Sequence, residues 1–130
     1  MAALTRKEQE AFARRLSDRR RALISEIIAN SDPDNAESLR NQYEDLDPHD
    51  DRAVGDWVRD IGLAQFERET AELRAVESAL KRFADGSFGE CVDCAEPIAP
   101  ARLEANPSAE RCIVCQERAE TRAGGVRTAL

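Results

Sequence analysis

Cys91-Val-Asp-Cys94, then seventeen residues, then Cys112-Ile-Val-Cys115: the reading of the whole chain turns on this stretch. All four cysteines of the 130 residues lie in it. Each Cys-x-x-Cys knuckle presents two sulfurs from one tight turn, and the loop between them is long enough to fold back and complete a tetrahedron. The pattern predicts one four-thiolate zinc site built from Cys91, Cys94, Cys112 and Cys115. Zinc suits soft thiolates, and four of them leave no open position for water, so the expected role is structural. Two disulfides or a thioredoxin-like redox pair would use the same cysteines. Disulfides need an oxidising compartment, however, and nothing here signals one. Bound metal would supply folding free energy to a short, loop-rich segment with little core of its own.

Composition sets the frame around that site. Charged residues make up 35% of the chain and aromatics only 5%, which suits long amphipathic helices better than a sandwich of sheets. The net charge of −7 disfavours general binding to a phosphate backbone. The segment Met1-Ala-Ala-Leu-Thr-Arg-Lys-Glu lacks the apolar core of a signal peptide, and no run approaches the roughly twenty apolar residues of a membrane span. Both features lead to the expectation of a cytoplasmic protein, where reduced thiols remain available to metal.

Upstream of the cysteines the pattern is helical. Thr5 with Glu8 forms a capping box. Phe12, Leu16, Leu23 and Ile27, widened by Ile24 and Ile28, predict an amphipathic helix to about Ala29. Asn30-Ser-Asp-Pro-Asp-Asn35 carries stop and turn signals, and Leu39 with Tyr43 suggests a short further helix within 36–44. Asp47 is the expected N-cap of the next helix, with Pro48 at its first position and Asp50 and Asp51 in its first turn. That helix is expected to continue to about Ala84, with one apolar patch at Val54, Trp57, Val58 and Ile61 and another at Leu73, Val76, Leu80 and Phe83. The seam weakens at Gln65 and Arg68, and Gly62 costs roughly 1 kcal/mol relative to alanine. Gly86 is the expected left-handed cap. Such a rod, about 55 Å long at 1.5 Å per residue, must lie against something. The first helix is the obvious partner.

The fold class expected is therefore mainly α. It comprises an antiparallel two-helix coiled-coil hairpin over residues 1–86 with its acidic turn near 45–53, remote from the cysteines. A small zinc finger with a short C-terminal helix follows over 87–122, then a flexible tail over 123–130. Pro97, Pro100 and Pro107 rule out a long helix in the finger loop, where a short strand pair is expected.

Phe88-Gly-Glu-Cys-Val-Asp-Cys, Ile98, Arg102-Leu-Glu-Ala-Asn-Pro and Arg111-Cys-Ile-Val-Cys together resemble the zinc finger of the DksA/TraR family. Asp47-Pro-His-Asp-Asp-Arg-Ala53 resembles that family's acidic tip. The resemblance implies regulation of bacterial transcription by direct binding to RNA polymerase. The hairpin would enter the secondary channel, and tip aspartates near the catalytic centre would alter the lifetime of promoter complexes. On that basis Asp47, Asp50 and Asp51 include the functional acids, with Arg52 and Ala53 shaping the turn. The usual tip has two aspartates three apart and an alanine two residues after the second. Here Asp47 and Asp50 keep the first spacing, Asp51 and Ala53 the second, and no single pair keeps both. Where family members use basic residues to bind the guanosine tetraphosphate alarmone, this chain has Ala75, Asn106 and Gln116, so no strong alarmone site is expected at the finger–coil junction.

Other features are read as structural. The arginines at 14, 15, 19, 20 and 21, with Glu10 and Asp18 interspersed, suggest a solvated face or a surface for an acidic partner. Trp57 reads as an anchor between helices, and His49 as an exposed turn residue. One histidine and no nucleophile–base pair argue against enzymatic chemistry. Two alternatives stay open: a zinc-finger protein-interaction module with a dimerising hairpin, and a zinc-ribbon DNA binder.

Overall fold

The computed structural model describes residues 4–61 and 67–123, with side chains left undescribed at 67–69 and 123. Gly62, Gln65, the side chain of Arg68, and the Gly124-Gly125 stop with the tail beyond it lie outside the described residues. Among the described residues six helices follow in order: α1 (Arg6–Asn30), α2 (Pro33–Glu44), α3 (Asp51–Asp60), α4 (Glu67–Asp85), α5 (Pro100–Ala105) and α6 (Ile113–Ala123). Among the described residues no helix is long and apolar enough to cross a membrane.

The first helix begins where its capping box requires. Thr5 accepts from the Glu8 amide and Glu8 accepts from the Thr5 amide. Its whole apolar stripe, Phe12, Leu16, Leu23, Ile24, Ile27 and Ile28, is buried. Across from it, α4 buries Leu73, Val76, Ala79 and Leu80. The two helices run antiparallel: Phe12 meets Phe88 just past the end of α4, while Arg19 lies beside Glu72 near its start. Gly86, at φ +82°, ends α4 in the left-handed conformation, as its type predicts.

The expected single rod from 47 to 84 is interrupted. The α3 helix stops at Asp60, with Ile61 as C-cap, and begins one turn later than expected because Asp50, not Asp47, is its N-cap. The Asp50 carboxylate accepts from the Ala53 amide, and Asp47 instead accepts from the His49 amide within the turn. The second helix begins at Pro33 with Asp32 as N-cap, so the Asn30–Asn35 stop signal bends the chain without ending the helical region.

Both short helices fold onto the α1–α4 pair. Ala36 of α2 and Val54 and Val58 of α3 belong to the same hydrophobic core as the long helices. Tyr43 and Trp57 stack at 5.4 Å between ring centres, and the Trp57 indole donates to Gln42. Trp57 thus pins α3 to α2, as an anchor between helices should. The start of α3 lies against the middle of α1, where Asp51 pairs with Arg20, and not at the far end of one uninterrupted second helix.

The finger packs on the other end of the pair. Phe88 is buried between Phe83, stacked at 3.8 Å, and Phe12 at 5.9 Å. Gly89, at φ +88°, lets the chain pass Leu4, whose side chain a Cβ would approach to 3.3 Å. In place of the expected strand pair, the described residues contain one isolated antiparallel bridge, Glu90 with Pro97. The loop spends its length on α5, started by Pro100 and centred on the fully buried Leu103.

Candidate metal centre and acidic turn

The two knuckles converge. The sulfurs of Cys91, Cys94, Cys112 and Cys115 all lie within 4.8 Å of one another, with the Cys94 and Cys112 sulfurs 3.9 Å apart. A zinc ion with Zn–S bonds of about 2.3 Å demands a tetrahedron with edges of about 3.8 Å, so the spacing fits. Local backbone geometry makes the first knuckle: the Ala95 amide donates to Cys91 O and the Cys91 amide to Glu96 O, with Ala95 itself at φ +64°. The second knuckle is the start of α6. Cys112 immediately precedes the helix, and the Cys115 amide in its first turn donates to the Cys112 sulfur. A helix N-terminus favours thiolates.

Electrostatics show what the cluster lacks without a cation. Burial opposes the Cys91 thiolate, but hydrogen bonds from the backbone of Cys112, Cys94 and Asp93 outweigh it and bring that thiol down to about 6. Contact with Cys112, then burial, pushes Cys115 up to about 12. Four sulfurs this close cannot all ionise unless a positive ion sits among them, which is the demand a structural metal meets.

Around the cysteines an arginine frame ties the pieces. Arg111 donates to Asp93, inside the first knuckle, and to Glu110, while Arg102 donates to Arg111 O. The Val92 amide donates to Glu110 O. Arg15 of α1 reaches Glu104 of α5 through both its carboxylate and its carbonyl, at 3.1 Å each. Arg82 of α4 is buried by the finger, donating to Ser78 and to Ala109 O. Burial pulls its basicity down, with Glu110 and Asp85 opposing.

The acidic turn is constructed differently from expectation. Asp47, Pro48, His49, Asp50 and Arg52 are exposed and Ala53 is half-buried. Asp51 is committed: its carboxylate accepts from Arg20 at 2.5 Å. Arg20 also donates to Glu77 of α4 at 3.2 Å, and its side chain is only 6% exposed. Arg20 was missed as a structural residue, although it lies four positions after Leu16 and fills the gap in the stripe before Leu23. An arginine on an apolar face must bring its counterions with it.

A search of solved structures finds transcription factor DksA2 from Pseudomonas aeruginosa, 30% identical, matching over 91% of this chain and 87% of that one with a TM-score of 0.58. The chain belongs to the DksA/TraR family. Residues 86–120 match the prokaryotic dksA/traR C4-type zinc finger, so the four cysteines are those of a C4 finger positioned to hold one metal ion. Two curated relatives share its sequence over 72 residues, 55% of this chain. The protein from Caulobacter vibrioides is 40% identical and that from Escherichia coli K12 is 38% identical. Both are named RNA polymerase-binding transcription factor DksA. The chain spans about half the length of these relatives: 51% of the first and 48% of the second. Within this DksA/TraR chain, the fold confirms a mainly helical body with a helical pair and a four-cysteine finger.

Proposed function

We propose that this protein is a non-enzymatic transcription regulator that binds RNA polymerase directly and presents its acidic turn inside the secondary channel. The observation that carries the reading is the likeness to a solved DksA2 structure over 91% of the chain, with the C4 finger in place. The relatives' names supply the partner. The working compartment is the cytoplasm, where thiols stay reduced for zinc.

The partner-binding tip comprises Asp47, Asp50, Asp51, Arg52 and Ala53. Asp47 and Asp50 are exposed and lie at the spacing of a paired-acid tip. Carboxylates are hard oxygen donors, suited to basic elements of the polymerase or to its magnesium. The finger–helix junction holds no strong alarmone site in this reading. The groove there, about 540 Å³ and bordered by Asn106, Ser108 and Asp18, offers Arg15 and Arg19 as cations. Those are already paired to Glu104 and Glu72.

A second reading, a finger that docks on another protein, is favoured by the exposure of Val92, Ile113 and Val114 at the two knuckles. Competition with a secondary-channel factor for core polymerase separates the two. The tip is tested with Asp47→Ser/Asp50→Ser, because serine keeps an oxygen for capping while removing the charge. The double variant should retain zinc and polymerase binding but lose the effect on promoter-complex lifetime. Unchanged transcription by that folded variant removes the tip from the mechanism.

A further inference from the structure

We infer that Arg20, Asp51 and Glu77 form a latch that stows the acidic turn against the protein's own body, and that α3 must lift off for the turn to reach a partner. The three residues come from α1, α3 and α4, so the cluster joins the start of α3 to the two long helices. Two carboxylates share one guanidinium. The body keeps a complete pair when Asp51 leaves, because Glu77 still holds Arg20. Release therefore strands no charge inside the protein, which is what separates a latch from a structural ion pair whose loss would leave a buried charge unpaired.

Against the long helices the moving part is lightly held, its other anchor being the Trp57 contact with α2. The Asp51 side chain is 59% exposed, against 6% for Arg20 and 17% for Glu77, so water, salt and a competing cation reach the outer half of the bond. Only Val54 and Val58 of the ten residues of α3 are buried. At Gly55 α3 comes close to α4: a Cβ there would stand 3.0 Å from a Glu77 carboxylate oxygen. That carboxylate is held by Arg20 and cannot swing freely away. A side chain at 55 thus wedges α3 outward without altering any charge or the turn residues Asp47 and Asp50. A cationic surface on the partner would compete with Arg20 for Asp51 and open the latch as it binds.

The functional half of this inference rests on the polymerase reading; the conformational half does not, and one experiment separates them. Amide hydrogen exchange is measured on the zinc-loaded full chain for wild type, Gly55→Leu and Asp51→Asn. With the latch, α3 amides of the wild type exchange through a local opening that salt promotes, and both variants speed that exchange by about tenfold or more while α4 and the finger stay protected. Equal protection of α3 and α4 in all three proteins, insensitive to salt, overturns the latch. So does a Gly55→Leu protein that loses α4 and finger protection together while Asp51→Asn leaves α3 as slow as wild type, because α3 is then part of the cooperative core. Affinity for core polymerase is then compared. The wedge at Gly55 should tighten binding several-fold, since apparent affinity scales with the fraction of molecules already open. Faster exchange with no gain in affinity overturns the requirement for release, whereas no polymerase binding by any variant refutes the partner and leaves the exchange result standing.

Discussion

Phe88→Ala should separate the finger from the helical body more effectively than any other single truncation. Phe88 is 5% exposed, stacked on Phe83 at 3.8 Å and tilted against Phe12 at 5.9 Å, so one ring in the turn leading to the first knuckle touches both α4 and α1. Truncation to alanine withdraws roughly 120 Å² of buried apolar surface, worth about 3 kcal/mol at about 25 cal/mol per Å². Loss of the aromatic pairs adds about 1 kcal/mol, and the total of about 4 kcal/mol falls within the usual range for phenylalanine-to-alanine changes in cores. Unfolding entropy of about 2.1 cal/mol/K per residue converts that loss into a fall in Tm of roughly 15 °C for a chain of this size. The assay is a helix-monitored thermal melt with zinc content measured on the same sample. Phe88→Leu, which keeps apolar volume and loses the stack, should fall by only about 5 °C. A Phe88→Ala protein that retains its zinc and melts within about 5 °C of wild type would refute the view that this ring docks the finger.

Two further perturbations act on other parts of the molecule. Purified protein should carry one zinc per chain by elemental analysis, and Cys115→Ser or a strong chelator should release it, exposing the amides of Cys91, Val92 and Cys115 to exchange while those of α1 and α4 stay protected; full protection of the finger without metal would contradict a structural role. Arg19 donates to Glu72 and holds that carboxyl below its ordinary 4.5. This contribution is present above the unfolded value and disappears as pH falls through the lower folded one, so stability should drop below about pH 4.5, and Arg19→Gln should flatten that part of the curve. The pair is part-exposed, so the effect is modest and salt should reduce it.

What the sequence displayed, and what it concealed, divides along the range of the interactions. The capping box at Thr5 and Glu8, the glycine cap at 86 and the two cysteine knuckles are local chemistry, satisfied by residues a few positions apart, and each was legible because its partners sit beside it in the chain. Burial of the two stripes was legible from periodicity alone, since a helix that spaces Phe12, Leu16, Leu23 and Ile27 on one face has no other use for them. The folded-back path of α2 and α3 was not. Helical periodicity says which face is covered but not by what, and the apolar patch at Val54 and Val58 suits a rod or a returning segment equally. The choice between them is written in Arg20, a cation that interrupts the stripe of α1 and lies buried with acids from two other helices. A buried guanidinium can be read from one helix as a gap in the pattern; its counterions, 31 and 57 positions away, cannot. The same residue that obscured the architecture now makes it testable. A rod with a bare tip has no need of Gly55, whereas a returned helix pressed onto Glu77 does, so the tolerance of position 55 to a side chain reports directly on which of the two the protein adopts in solution.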